Sequence, residues 1–113
     1  MPTRHLLTDL PHVIGEEQTD LLAANRHARL LRIVSPPRFR SEPFLQQEDE
    51  WVMVLQGEAT LDLAGQPIRL VAGDSLLIPA GTPHQVTDTS IDPPCTWLAL
   101  HLERDMPDSG AGP

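Results

Sequence analysis

The chain has no tyrosine, and only two tryptophans and two phenylalanines in its 113 residues. Its core must therefore be filled mainly by Leu, Val and Ile. It has one cysteine, Cys95, so no disulfide can form within it. A lone thiol fits a reducing compartment, and the expected location is the cytoplasm. Basic residues are scarce: 8 Lys plus Arg stand against 16 Asp plus Glu, for a net charge of −8. That balance disfavours nucleic acid and anionic membranes as partners, since both attract basic surfaces. No run approaches the roughly 18–20 apolar residues needed to span a bilayer. The opening stretch, MPTRHLLTDLPH, is interrupted by Asp9 and Pro11, where a secretory signal needs an unbroken apolar segment.

What the chain does have is punctuation. Its length suits one domain. Short apolar runs alternate with Gly and Pro turns, the pattern of an all-β sandwich or barrel. Strands are expected at Ala28–Val34, Glu48–Leu55, Ala59–Leu63, Ile68–Val71, Ser75–Ile78, from His84 onward, and at Thr96–Leu102. Ala64–Pro67 reads as a hairpin loop and Gln56-Gly57-Glu58 as a tight turn. Glu16–Ala24 suits either a short helix or an edge strand, and the strand is preferred. Residues 1–27 form an irregular lead-in whose Leu6, Leu7, Leu10, Val13 and Ile14 can cover the body formed by 28–103. Residues 104–113 have the composition of a disordered tail.

The most informative segment is Gly73–Asp88, GDSLLIPAGTPHQVTD. Gly73-Asp74 turns the chain into the apolar run Ser75–Ile78. Pro79–Pro83 breaks that run and turns the chain back, with Gly81 free to take a positive φ. His84 opens the returning strand, so its imidazole can sit at the mouth of whatever the strands enclose. This spacing resembles the second motif of the cupin superfamily, with Asp88 where the family usually has Asn. The first motif of that family is Gly, five residues, His-x-His, three or four residues, Glu, six residues, Gly. Gly57 and Glu50 match its end. The histidine places hold Phe44 and Gln46, or Pro43 and Leu45 in the longer spacing, so both motif histidines are absent. The resemblance implies a single small jelly-roll β-barrel with a pocket at its mouth. Glu48–Ala59 together with Thr96–His101 looks like a group of small single-barrel cupins, and this implies a protein that is often dimeric. Jelly-roll sheets leave edges that self-pairing can cover, so a homodimer is expected.

Strand period places the chemistry. Successive residues point to opposite faces, so if Glu50 faces inward then Val52 and Val54 do too, and Asp49 faces away. Gln46 and Glu48 would then stand above Glu50 toward the mouth. On the last strand Trp97, Ala99 and His101 share one face, and Leu98, Leu100 and Leu102 the other. Both faces are apolar enough that alternation leaves open which one is internal. Glu50 and His84 are the candidate catalytic acid/base pair. Glu50, His84, Gln46, Glu48 and His101 are the candidate ligands of a divalent metal, with a mixed oxygen and nitrogen set suited to Mn, Fe, Zn or Ni. Equally, Glu50 and His84 can simply hydrogen-bond across the barrel with no ion between them. Trp51 and Trp97 read as core or interface anchors. Cys95 has no basic neighbour and reads as inert. His5, His12 and His27 read as solvated, and Arg38 and Arg40 as surface residues.

A shared fold does not choose a reaction. Two functions therefore stand. One is a metal-dependent or acid/base enzyme acting on a small polar metabolite. The other is a non-catalytic module that binds a small ligand or associates with itself.

Overall fold

The computed structural model describes residues 3–8, 10–13 and 15–104. Ile14 of the lead-in and the expected tail beyond Arg104 lie outside the described residues. Eight strands run in order: β1 Gln18–Ala24, β2 Ala28–Val34, β3 Asp49–Gln56, β4 Glu58–Leu63, β5 Gln66–Val71, β6 Ser75–Ile78, β7 His84–Thr89 and β8 Thr96–Leu102. The described residues contain no helix, so none is long and apolar enough to cross a membrane. The preferred strand in Glu16–Ala24 is present as β1. The hairpin loop is shorter than the sequence suggests. Only Ala64 and Gly65 turn, both at positive φ, and β5 starts at Gln66. Two central residues with positive φ match the right-handed twist of the strands they join.

The strands form two sheets, ordered β1-β2-β8-β3-β6 and β5-β4-β7, with every pair antiparallel. The neighbours β2–β8, β3–β8, β3–β6 and β4–β7 are distant in sequence, as the long returns of a jelly roll require. The sheets face each other across one apolar core. Val52, Val54, Trp97 and Ala99 come from the larger sheet, and Ala59, Leu61, Leu70 and Val86 from the smaller. Burial alternates strictly along Glu50–Val54, so Glu50, Val52 and Val54 all point inward. This follows from the two-residue period of a strand buried on one face. Arg32 faces the other way, onto the outer surface of the larger sheet. It is buried there by the lead-in, donating to the Leu6 carbonyl at 3.1 Å and pairing with Asp20.

Gly57 joins β3 to β4 at φ +81°. A Cβ there would lie 2.6 Å from Ser90 Oγ and 2.9 Å from the Cys95 Cα. Only glycine satisfies both the angle and the space at this turn.

Candidate functional site

One end of the space between the sheets is built by strand register. Arg29 on β2 pairs with His101 on β8, His101 pairs with Glu50 on β3, and Glu50 pairs with Ile78 on β6. Directly paired residues share a face, so these side chains form a row across the inner surface of the larger sheet. The rows below it are apolar: Leu31, Ala99 and Val52, then Ile33, Trp97 and Val54. The internal face of β8 is thus the one carrying Trp97, Ala99 and His101.

His84 arrives from the facing sheet, as the first residue of β7 paired with Leu63 on β4. The Pro79–Pro83 turn that delivers it is tied to the approach to β3. The Gly81 N–H donates to the Gln46 carbonyl at 2.8 Å, and the Ala80 N–H donates to Asp49 Oδ1 at 2.8 Å. Gly81 takes φ +79°, the left-handed conformation expected of it. Asp49 faces away from the site, as its place in the strand predicts, and there also accepts from Arg104 at 2.9 Å. Phe44 and His84 exchange backbone hydrogen bonds of 2.7 and 3.0 Å, with ring centroids 5.4 Å apart.

Glu50 is buried, with 8% of its surface exposed, and three side chains converge on its carboxylate. Gln46 Nε2 donates to Oε1 at 3.1 Å. His84 Nε2 lies 3.4 Å from Oε1, and His101 Nε2 lies 3.5 Å from Oε2. The other ring nitrogen of His84, Nδ1, is 3.0 Å from the Thr82 carbonyl. A carbonyl only accepts, so Nδ1 carries a proton. Nε2 and the Glu50 carboxylate then attract each other only when a further proton lies between them. A proton on Nε2 makes this contact an imidazolium–carboxylate pair. The hydrogen bond to Glu50 is the main cause that raises the His84 pKa above the ordinary histidine value. The Thr82 carbonyl and the Glu50 charge add to it, and burial opposes it.

Glu48 departs from its expected place. β3 begins at Asp49, so the strand alternation does not extend to Glu48. Arg29 Nη2 holds both its oxygens, at 2.6 and 2.8 Å, and it does not line the cavity. It stands 3.3 Å from His101 Nδ1, but off the line of that N–H or lone pair, so this buried nitrogen makes no hydrogen bond.

These groups close the polar end of a cavity of about 220 Å³ whose other walls are mostly apolar. Glu17, from the residues preceding β1, also lines it. No motif or period singles out Glu17. Its position depends on the pairing of β1 with β2, which brings it beside Ser35. Ser35 Oγ donates to Glu17 Oε2 at 2.7 Å and accepts from Trp97 Nε1 at 2.9 Å. Burial is the main cause raising the Glu17 pKa; the Ser35 hydrogen bond opposes it and the Glu50 charge adds to it. Arg38 and Arg40 are exposed, and Arg38 pairs with Asp88 at 3.0 Å.

By donor chemistry, Glu50, His84, His101 and the Gln46 amide oxygen suit a divalent ion. Among the described residues no three His, Cys, Asp or Glu side chains are arranged to hold an ion. The two imidazoles turn onto the carboxylate, and Gln46 presents its N–H to it.

A sequence model for the family described as "Cupin domain" matches residues 31–101. A search of curated proteins found no match. Among solved structures, a protein from Ralstonia eutropha JMP134, provisionally described as a mannose-6-phosphate isomerase, is 29% identical with a TM-score of 0.85. The match covers 92% of this chain and 100% of that one. A cupin superfamily protein from Desulfitobacterium hafniense DCB-2 is 20% identical with a TM-score of 0.75, covering 84% of each chain. KdgF from Halomonas sp. is 20% identical with a TM-score of 0.71, covering 86% of this chain and 88% of that one. The latter two likenesses are of fold alone.

Proposed function

The chain belongs to the cupin family, and from that premise we propose that it binds a small molecule between its sheets and moves protons on it through Glu50 and His84. The observation that carries this reading is the buried carboxylate facing His84 Nε2 at 3.4 Å, at the polar end of a largely apolar cavity. A pair that holds one proton can accept a second from one atom of a substrate and return one to another. Its own proton count is then unchanged and no co-reactant is needed. His101 and Gln46 hold the carboxylate in place. The apolar walls exclude water, which strengthens the electrostatics of the pair. The provisional isomerase description of the Ralstonia relative is consistent with such chemistry.

The experiment is a solvent-deuterium exchange screen of small carbonyl and hydroxy compounds, read by NMR. Exchange by the wild type that falls at least about 10²-fold in both Glu50→Gln and His84→Ala supports the reading. Both variants must keep the native circular dichroism spectrum. Ligand binding that survives both substitutions, with no exchange by the wild type, replaces it with a non-catalytic binding module. Elemental analysis of protein purified without a metal-affinity tag runs alongside. Restoration of activity by Mn, Fe, Zn or Ni would replace the proton-transfer reading with a metal-dependent one.

A further inference from the structure

We propose that Glu17 forms a second pole of the cavity and makes it selective for a compact, mainly apolar molecule bearing a positively charged nitrogen. This rests on the reading of the cavity as a small-molecule site.

Glu17 lines the same cavity as Glu50 but lies at its other end along β2. Ser35, its partner, is three inward-facing positions beyond Arg29, the β2 member of the Glu50 row. The two carboxylates are thus separated by the apolar rows containing Leu31, Val52, Ile33 and Trp97. A carboxylate in such surroundings is costly unless it is hydrogen-bonded or paired. Glu17 is only partly provided for. Among the described residues Ser35 is its one hydrogen-bonding side chain. Ser35 is in turn fully buried and fixed by the Trp97 indole, which is 4% exposed. The half-buried carboxylate is therefore held at a set place on the cavity wall and, among the described residues, has no counter-charge.

Among the described residues no cation supplies one. The chain has no lysine, and none of its eight arginines lines the cavity. Arg29, Arg32, Arg38, Arg69 and Arg104 are each paired with a carboxylate other than Glu17 and Glu50. His84 and His101 are both turned onto Glu50. A ligand cation at Glu17 would complete a pair that the protein leaves open. A carboxylate or phosphate ligand would instead meet the Glu17 carboxylate with no cation beside it, while the His84 imidazole is already turned onto Glu50. The cavity's 220 Å³ falls below the roughly 300–1,000 Å³ of drug-sized sites, hence a compact ligand.

The test uses three matched probes: cyclohexylmethylamine, cyclohexylmethanol and cyclohexanecarboxylate. Each is titrated into the full chain at neutral pH by calorimetry, with Trp fluorescence as a second readout. The expected result is that the amine binds at least tenfold tighter than the alcohol, and the carboxylate weakest. In Glu17→Gln, which keeps an acceptor for Ser35, the amine-to-alcohol ratio falls to about one. Carboxylate binding as tight as the amine overturns the proposal, as does an unchanged ratio in the variant. If the alcohol binds and the amine does not exceed it, selectivity by Glu17 is wrong while the small-molecule site stands. If none of the three binds, the site reading fails and this proposal fails with it.

Discussion

Glu50 on the five-stranded sheet and His84 on the three-stranded sheet meet across the interior, with Oε1 and Nε2 3.4 Å apart. Neither side chain is in local contact with the other along the chain. The jelly-roll returns bring them together, and the Thr82 carbonyl favours the tautomer with its proton on Nδ1, which leaves Nε2 facing the carboxylate.

This pairing has a pH signature. The folded-state pKa of His84 lies above its unfolded value of 6.5, so its contribution to stability is complete below about that pH. It is lost as pH rises through the higher folded value. Urea unfolding measured between about pH 5.5 and pH 9 should show stability falling across that window, by roughly 1.4 kcal/mol for each unit of pKa difference. His84→Asn should flatten the slope. Glu17 is also raised and acts with the same sign in a window that begins near 4.5, so the His84→Asn comparison isolates the histidine's share. A slope unchanged by His84→Asn would show that the pair does not hold the proton assigned to it.

Gly57→Ala should destabilise the fold by about 2–4 kcal/mol in chemical denaturation. The new methyl group meets the backbone of Cys95 and the Pro93 carbonyl as well as Ser90 Oγ, and backbone cannot swing aside. Gly65→Ala is the control. It shares a positive φ, +88°, but nothing lies within 4 Å, so only the conformational cost of about 1 kcal/mol remains. Equal losses at the two positions would show that crowding at Gly57 is not what selects glycine there.

Cys95 should resist alkylation in the native state. It is fully buried, and its thiol is pushed up to about 12, chiefly by burial and further by the charges of Glu17 and Glu58. The thiolate is the reactive form, so labelling by iodoacetamide should track unfolding. Rapid stoichiometric labelling of folded protein would contradict this placement.

A homodimer is the expected state at micromolar concentration by light scattering. The larger sheet turns Trp51, Met53, Leu77, Leu98 and Leu100 away from the core. Leu77, on the edge strand β6, is 53% exposed. Trp51→Glu should shift the population to monomer without altering the cavity. A wild-type monomer would remove the dimer.

Much of this arrangement is legible in the sequence because turn chemistry is local. The spacing of Gly73, Pro79, Gly81 and His84 sets β6, the turn and the start of β7. Alternation around Glu50 correctly turns Val52 and Val54 inward and Asp49 outward. The orientation of β8 is not legible, because Leu98 and Leu100 make its outer face as apolar as its inner one. Glu48 is misread because a period holds only within a strand, and the strand starts one residue later. Glu17 carries no local mark at all. Its role exists only once β1, Ser35 and Trp97 are assembled from three separate stretches of chain.

The two amides given by Ala80 and Gly81 to the approach of β3 moor the segment that presents the imidazole to the segment that presents the carboxylate. Lengthening that turn by one residue would leave both sheets whole yet let the acid and its partner drift out of alignment. The loop's length therefore works as a gauge: it sets the separation across which a proton can pass, and it offers a place where reactivity can be adjusted without disturbing the fold.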